Sequence, residues 1–302
     1  MDTITHTLVG VALAESGLKR ATPLATATLM IGANLPDLDV LTYLVGSEAD
    51  ALGFRRGWTH GILAMLVLPP LLAAVAWGWP RITGRGGGDE RVLPLLGIAA
   101  IAVWSHPLLD LLNVYGVRLL MPFSERWFHG DGLFIVDPWV WAVLLAGILA
   151  AWRRQRNNPW PPRVSLGVVA GYAIAMVISG RIGARVIEAQ TGSRFRTMVA
   201  PAFADPFRRA VIRDLGGRYE VGILRWGSAA AYSVHAVVPA GRDQPGAAEA
   251  ARTAAGTRFL AWARFPRFES AREDGGTRVT ITDLRYAGRG GTTWASITVL
   301  VP

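Results

Sequence analysis

His106 and Asp110 stand four residues apart inside a long apolar run. Positions i and i+4 share one helix face. An imidazole nitrogen and a carboxylate oxygen placed there can reach one cation, or act as ligand and orienting partner. Ionisable side chains within an apolar span are costly and point to a function. The plain alternative is a buried His–Asp hydrogen bond that only links helices. Asp37 and Asp39 lie in Asn34-Leu35-Pro36-Asp37-Leu38-Asp39. Paired carboxylates in a turn suit hard or borderline divalent cations, although Asn, Pro and Asp also build ordinary turns. His60 lies in Gly57-Trp58-Thr59-His60-Gly61 and His6 in Thr5-His6-Thr7. Neither histidine carries chemistry by itself. The chain has no cysteine, which excludes disulfides and thiolate ligands. Any metal must be held by His, Asp, Glu or Asn. No Gly-x-Ser-x-Gly elbow, phosphate-binding glycine loop or His-Glu-x-x-His motif is present.

The elements that must position these residues are apolar helices. Hydrophobic residues make up 51% of the 302 and charged residues only 18%, against about 25% charge in soluble domains. Four stretches approach the roughly 20 residues that cross a bilayer: 61–79, 92–112, 136–152 and 164–187. The N-terminus lacks the basic segment of a cleavable signal, so insertion is expected to rest on these internal segments. Arg81, Arg85 and Arg91 lie between the first two spans, and Arg153, Arg154, Arg156 and Arg163 between the last two. The positive-inside rule puts both loops in the cytoplasm. The loop 113–135, the segment before residue 61 and everything after 187 then lie outside. Residues 7–35 are apolar but broken at Gly17, Lys19, Arg20 and Pro23. Two short helices, 7–18 and 23–33, would fold back as a hairpin. That hairpin brings His6 and Asp37 to one side, where the arginine loops independently place His60, His106 and Asp110. The expected metal ligands are therefore His6, Asp37, His60, His106 and Asp110. Asp39 is expected as a further ligand, an orienting partner or the base that takes a proton from water.

Other residues carry weaker signals. Asp137, before Pro138, reads equally as a ligand or as a helix N-cap. Asn34 is a further candidate ligand. Arg118 and Arg126 could hold an anionic substrate or merely touch lipid headgroups. His129 and Asp131 read as a solvated loop, and His235 as structural. The net charge of +9 comes almost wholly from arginine, Lys19 being the single lysine. Without a basic stripe of interleaved aromatics it points to anionic lipid rather than nucleic acid. After residue 190 alternating segments appear at 207–214, 219–226, 232–238, 278–286 and 293–301, with a helix at 247–264. Gly216-Gly217 reads as a hairpin turn, 85–88 as a flexible loop and 157–162 as a stiff linker. The expected organisation is a mainly α membrane domain over 1–189, with about four transmembrane helices after a helical hairpin. A small α+β extracytoplasmic domain follows over 190–302.

Thr5-His6-Thr7, Asn34-Leu35-Pro36-Asp37-Leu38-Asp39, Trp58-Thr59-His60-Gly61 and Ser105-His106-Pro107-Leu108-Leu109-Asp110 together resemble the YdjM/YbcI type of inner-membrane metal-dependent hydrolases. Asp137-Pro138 is similar to a later Asp-Pro of that family. The resemblance covers about residues 1–190. It implies a multi-pass inner-membrane hydrolase with a divalent metal, zinc above all. The order of His and Asp is also loosely similar to zinc-dependent phospholipase C and P1-type nucleases. That similarity turns the expected substrate toward a lipid or other phosphoester at the outer membrane–water interface. Two alternatives stand beside it: a protein that translocates ions or protons, and a non-catalytic scaffold with a structural metal.

Overall fold

The protein's structure, a computed structural model, describes residues 1–46, 48–84, 91–153, 158–287 and 294–302. The expected 85–88 loop, Arg154, Arg156, Asn157 and Thr293 lie outside the described residues. Two compact units divide the chain: Met1–Asp39 with Arg56–Val177, and Val40–Arg55 with Ile178–Pro302.

The first unit is helical. Helix α1 (Thr3–Glu15) is capped by Asp2, whose carboxylate accepts from the Thr5 amide, satisfying one of the free donors of the first turn. A 3-10 turn (Leu18–Arg20) follows, where the charges and Pro23 interrupt the apolar pattern, and α2 (Ala25–Gly32) runs back along α1. The antiparallel register is fixed at both ends. Asn34 Nδ2 donates to Thr7 Oγ1 at 3.0 Å, and Ala14 and Ala25 share one buried cluster. A second 3-10 stretch, Leu35–Leu44, carries Asp37 and Asp39.

Among the described residues three helices are long and apolar enough to cross a membrane. With α3 (Glu48–Phe54) in the second unit, they are α4 (Ile62–Thr83), α5 (Val92–Leu111) and α7 (Trp160–Thr191). The expected third span is α6 (Pro138–Arg153), of 16 residues. At about 1.5 Å per residue it reaches roughly 24 Å, short of the ~30 Å hydrocarbon core. The count of four is thus not met by length. The second half of the expected 157–162 linker is the start of α7, with Pro161 and Pro162 in its first turn, where missing amide donors cost nothing.

Large apolar side chains such as Leu66, Leu71 and Val75 face outward from α4, as lipid-facing positions do. Within the bilayer, helices associate by close approach of small residues. Gly32 of α2 makes the same kind of close approach to α4 and α5. A Cβ there would sit 2.6 Å from Ala102 Cβ and 2.8 Å from Leu72 Cδ2. Gly32→Val is expected to lower stability by about 1–3 kcal/mol through overpacking, measured as a lower melting temperature in detergent. An unchanged melting temperature would remove this contact from the packing account. Helix α1 buries Val9 and Ala12 against Val140, Leu144 and Ile148 of α6 and Val169, Ala173 and Met176 of α7.

The second unit holds an antiparallel meander, β1 (Arg196–Ala202), β2 (Asp205–Asp214), β3 (Arg218–Arg225) and β4 (Ala231–Pro239), in that spatial order. A three-stranded antiparallel sheet follows: β5 (Pro266–Glu273), β6 (Gly276–Asp283) and β7 (Ser296–Val301). Gly216, at φ +84°, makes the expected β2–β3 turn. The end of α7 packs on the first sheet through Ile187, Val199, Val211 and Leu224. The single helix expected at 247–264 is two, α8 (Ala247–Arg252) and α9 (Ala254–Trp262). Thr253 breaks it by taking an extended conformation and accepting from Gly256 N with its Oγ1.

Candidate metal centre

Three elements deliver the site. The last two turns of α5 present His106 and Asp110 on one face. The 3-10 stretch after α2 presents Asp37, and the turn before α4 presents His60. Gly61 lets that turn close: a Cβ on it would lie 2.6 Å from the Met121 carbonyl oxygen.

One ligand atom from each of Asp37, His60, His106 and Asp110 lies within 4.8 Å of all the others. His60 Nε2 and His106 Nε2 are 3.1 Å apart. Asp110 Oδ2 is 3.2 Å from the first and 3.3 Å from the second. Asp37 Oδ1 is 3.5 Å from His106 Nε2 and 3.9 Å from His60 Nε2. For ligands about 2.0–2.1 Å from a tetrahedral zinc, the edge of the tetrahedron is about 3.3 Å. The observed separations lie around that length.

The protons decide what these atoms are. His106 Nδ1 is 2.6 Å from the Ala33 carbonyl oxygen, which can only accept, so this nitrogen carries the hydrogen. Thr59 Oγ1 donates to Asp39 Oδ2 at 2.9 Å. Its lone pair therefore receives the hydrogen on His60 Nδ1 at 2.8 Å. Burial holds His60 well below its ordinary pKa, so the ring is neutral. Both Nε2 atoms then turn lone pairs toward each other. Asp37 Oδ1 and Asp110 Oδ2 are buried and accept no hydrogen bond. Four acceptors converging without a donor repel one another, and a cation removes that repulsion. The donor set of two imidazoles and two carboxylates fits a divalent metal, and each imidazole has the outer hydrogen bond that metal ligands use.

The remaining candidates occupy defined places. His6 stacks on His106 with ring centroids 3.7 Å apart and sends Nε2 to 3.5 Å from Asp110 Oδ1. It lies beside the four-atom group rather than in it. Asp39 lies behind His60, where it also accepts from the Arg56 amide at 2.8 Å. Of its three expected roles, this is the place of the orienting partner. Asn34 is anchored through Nδ2 to Thr7 and to the Met30 carbonyl, and its Oδ1 is buried without a donor. Asp137 caps α6, accepting from the Trp139 and Val140 amides at 3.0 and 3.3 Å and from Tyr172 Oη at 3.2 Å. Asp137→Ala is expected to cost about 1 kcal/mol of stability and to leave bound metal unchanged, by melting and elemental analysis. Metal lost from this variant would make Asp137 a ligand. Arg118 is buried, its amide on the Arg56 carbonyl oxygen and its guanidinium over Trp127. Arg126 is exposed, over Phe128. His129 lies against Gly116 and Trp127 in the loop before α6. His235 is exposed on β4.

Sequence reasoning missed Arg56, Thr59 and the amino group of Met1. Arg56 Nη1 holds Asp110 Oδ1 at 3.0 Å, and the Met1 amine contacts the same oxygen. Arg56 takes a left-handed backbone, φ +52°, which ordinary residues avoid. The Arg55-Arg56-Gly57 run before His60 was the visible signal for it. Thr59 was signalled by standing next to a candidate ligand with a hydroxyl.

A family model described as YdjM inner membrane protein matches residues 1–183. The chain belongs to the YdjM inner membrane protein family. All four clustered residues fall within the matched part, and residues 184–302 fall outside it. The inner membrane protein YbcI of Escherichia coli (strain K12) is 30% identical over 178 residues, covering 50% of this YdjM-family chain and 98% of YbcI. YfhP of Bacillus subtilis (strain 168) is 27% identical over 191 residues, 59% of this chain. That match takes in 54% of YfhP, so the chain spans about half the length of this relative. No solved structure matches.

Proposed function

We propose that this YdjM-family protein is a membrane-bound, metal-dependent hydrolase that acts on a lipid or other phosphoester at the outer membrane–water interface, with zinc as its metal. The observation that carries the reading is the convergence of four unprotonated donor atoms at about tetrahedral spacing. A divalent metal held there would supply Lewis acidity toward water and an ester oxygen. The chain's own residues do the rest. Ala33 and the Thr59–Asp39 pair fix the tautomers of His106 and His60. Arg56 holds one oxygen of Asp110 so that the other faces the cluster. Asp37, whose side chain is 17% exposed while the other three are fully buried, marks the side from which water and substrate reach the centre. Arg126 is the exposed cation available to a headgroup, whereas Arg118 is committed to packing.

The outward orientation, with an extracytoplasmic C-terminal unit, is part of this proposal. It rests on Arg81 in the last turn of α4 and Arg91 just before α5, and on Arg153 at the end of α6 and Arg163 in the first turn of α7. Both pairs stand on the cytoplasmic side only if the short α6 crosses a locally thinned bilayer.

The test uses the full chain in lipid nanodiscs. Hydrolysis of a phospholipid or a chromogenic phosphodiester is expected, lost on chelation, restored by zinc and absent from His60→Ala. A second reading, a structural metal in a non-catalytic scaffold, is favoured by the full burial of His60, His106 and Asp110. Chelation that lowers the melting temperature with no hydrolysis of either substrate class would decide for the scaffold and against the hydrolase.

A further inference from the structure

The second unit contains a cavity of about 400 Å³ between its two sheets' flanking segments and α8–α9. Its wall carries three arginines, Arg196, Arg242 and Arg264, over an apolar floor that includes Ala247, Leu260 and Phe268. The cations are held by rings. Arg196 and Arg264 stand 5.6 and 5.7 Å from the centroid of the buried Phe265 ring. Arg242 lines the same space beside Tyr219, whose hydroxyl donates to the Pro266 carbonyl at 3.0 Å. Tyr219 in turn packs edge-on against Phe265 at 5.9 Å. Two touching aromatic side chains thus place three guanidinium groups around one space.

Among the described residues no ion pair joins Arg196 or Arg242 to a carboxylate. The nearby carboxylate of Asp283 is taken by Arg285 and by the Arg264 amide. The surroundings do not compensate either. Residues 191–302 contain 16 arginines against 9 acidic residues. Gathering like charges around a cavity is unfavourable unless an anion enters it. Guanidinium forks match phosphate oxygens in pairs, and the volume falls in the ordinary range of small-ligand sites.

We infer that this cavity binds a phosphate group carried on a compact apolar body. The guanidinium groups of Arg196, Arg242 and Arg264 take the phosphate oxygens, and the Ala247–Leu260–Phe268 floor takes the apolar part. Two sources offer that chemistry, a soluble phosphomonoester and an anionic lipid headgroup. The site is independent of the His/Asp centre and of the hydrolase proposal.

The experiment titrates phenyl phosphate by calorimetry into the full chain in a neutral detergent. In parallel, native mass spectrometry follows retention of phosphatidic acid from nanodiscs that also contain phosphatidylcholine. Saturable binding is expected in one of the two arms. Arg196→Gln combined with Arg242→Gln is expected to weaken it at least about tenfold. Both side chains are exposed, so this variant keeps its fold, checked by circular dichroism. Arg208→Gln, exposed on β2 outside the cavity, is expected to bind like the parent. Asp110→Asn is also expected to bind normally, which separates this cavity from phosphate captured by a metal. Binding of phenyl phosphate assigns the soluble source, and selective phosphatidic acid retention assigns the lipid. No binding in either arm overturns the inference. So does equal binding by the double variant, or loss of binding in Asp110→Asn.

Discussion

Purified Asp110→Asn protein is expected to hold at least about tenfold less metal than the parent, by elemental analysis after dialysis against a weak chelator. Asp110 is the most connected member of the cluster. Its Oδ2 faces both Nε2 atoms, at 3.2 and 3.3 Å. Its Oδ1 meets Arg56, the Met1 amine and Asn113 Nδ2. Asparagine keeps the volume but removes the negative charge. Loss of an outer hydrogen-bond partner alone typically costs 10–100-fold in metal affinity, and loss of a charged ligand costs at least as much. The same change leaves Arg56 buried opposite a neutral group, a penalty of about 3–5 kcal/mol when a buried pair is broken. Stability must therefore be measured beside metal content. Asp39→Asn separates the two effects, because it loosens His60 without stripping charge from the cluster. Metal loss should rank Asp110→Asn above Asp39→Asn, with Asp137→Ala unaffected. Asp110→Asn protein that is folded and fully loaded would remove the metal centre.

Much of this centre was legible because it depends on short spacings. The i, i+4 relation of His106 and Asp110 follows from helix geometry alone. The placement of Asp37 required only that residues 7–35 turn back, which the charges and Pro23 dictate. What stayed hidden depends on backbone detail. Arg56 reaches Asp110 through a left-handed residue, and no periodicity announces that. The Ala33 carbonyl that fixes His106 carries no side-chain signal at all. In the second unit, β1 was missed because Met198-Val199-Ala200 is buried without alternation. β5 was missed because Arg267, Glu269 and Arg272 mask its pattern. Both strands are set by pairing with β2 and β6, a non-local effect. The length of α6 illustrates the reverse limit, since apolar composition was plain and span length was not.

The metal-stripped protein is expected to lose stability as pH falls below about 6.5, by about 1.4 kcal/mol per pH unit for each histidine that folding keeps neutral. His6 and His60 are two such groups. Burial lowers the pKa of each well below its ordinary value, and the neighbouring His106 acts in the same direction. Above pH 6.5 the rings are neutral in both folded and unfolded chains, and pH has no leverage through them. Below it the unfolded chain takes up protons that the folded chain refuses, so unfolding gains. The loss continues until the lowered folded-state values are reached. Two histidines together predict a drop of roughly 2 kcal/mol between pH 6.5 and 5.5, because the unfolded rings are already half-protonated at 6.5, read as the shift in thermal midpoint of the chelated protein in detergent. His60→Asn should flatten the slope by about half. The metal-loaded protein should resist until protons displace the cation, because deprotonated ligands are what the cation binds. Its profile is then expected to stay level further into acid and to break where metal is released. A chelated protein whose midpoint is level from pH 7.5 to 5.5 would show that these rings are not held neutral. Converging lone pairs, rather than shared protons, are what make the site a receptor for a cation, so that result would undercut the proposed chemistry as well.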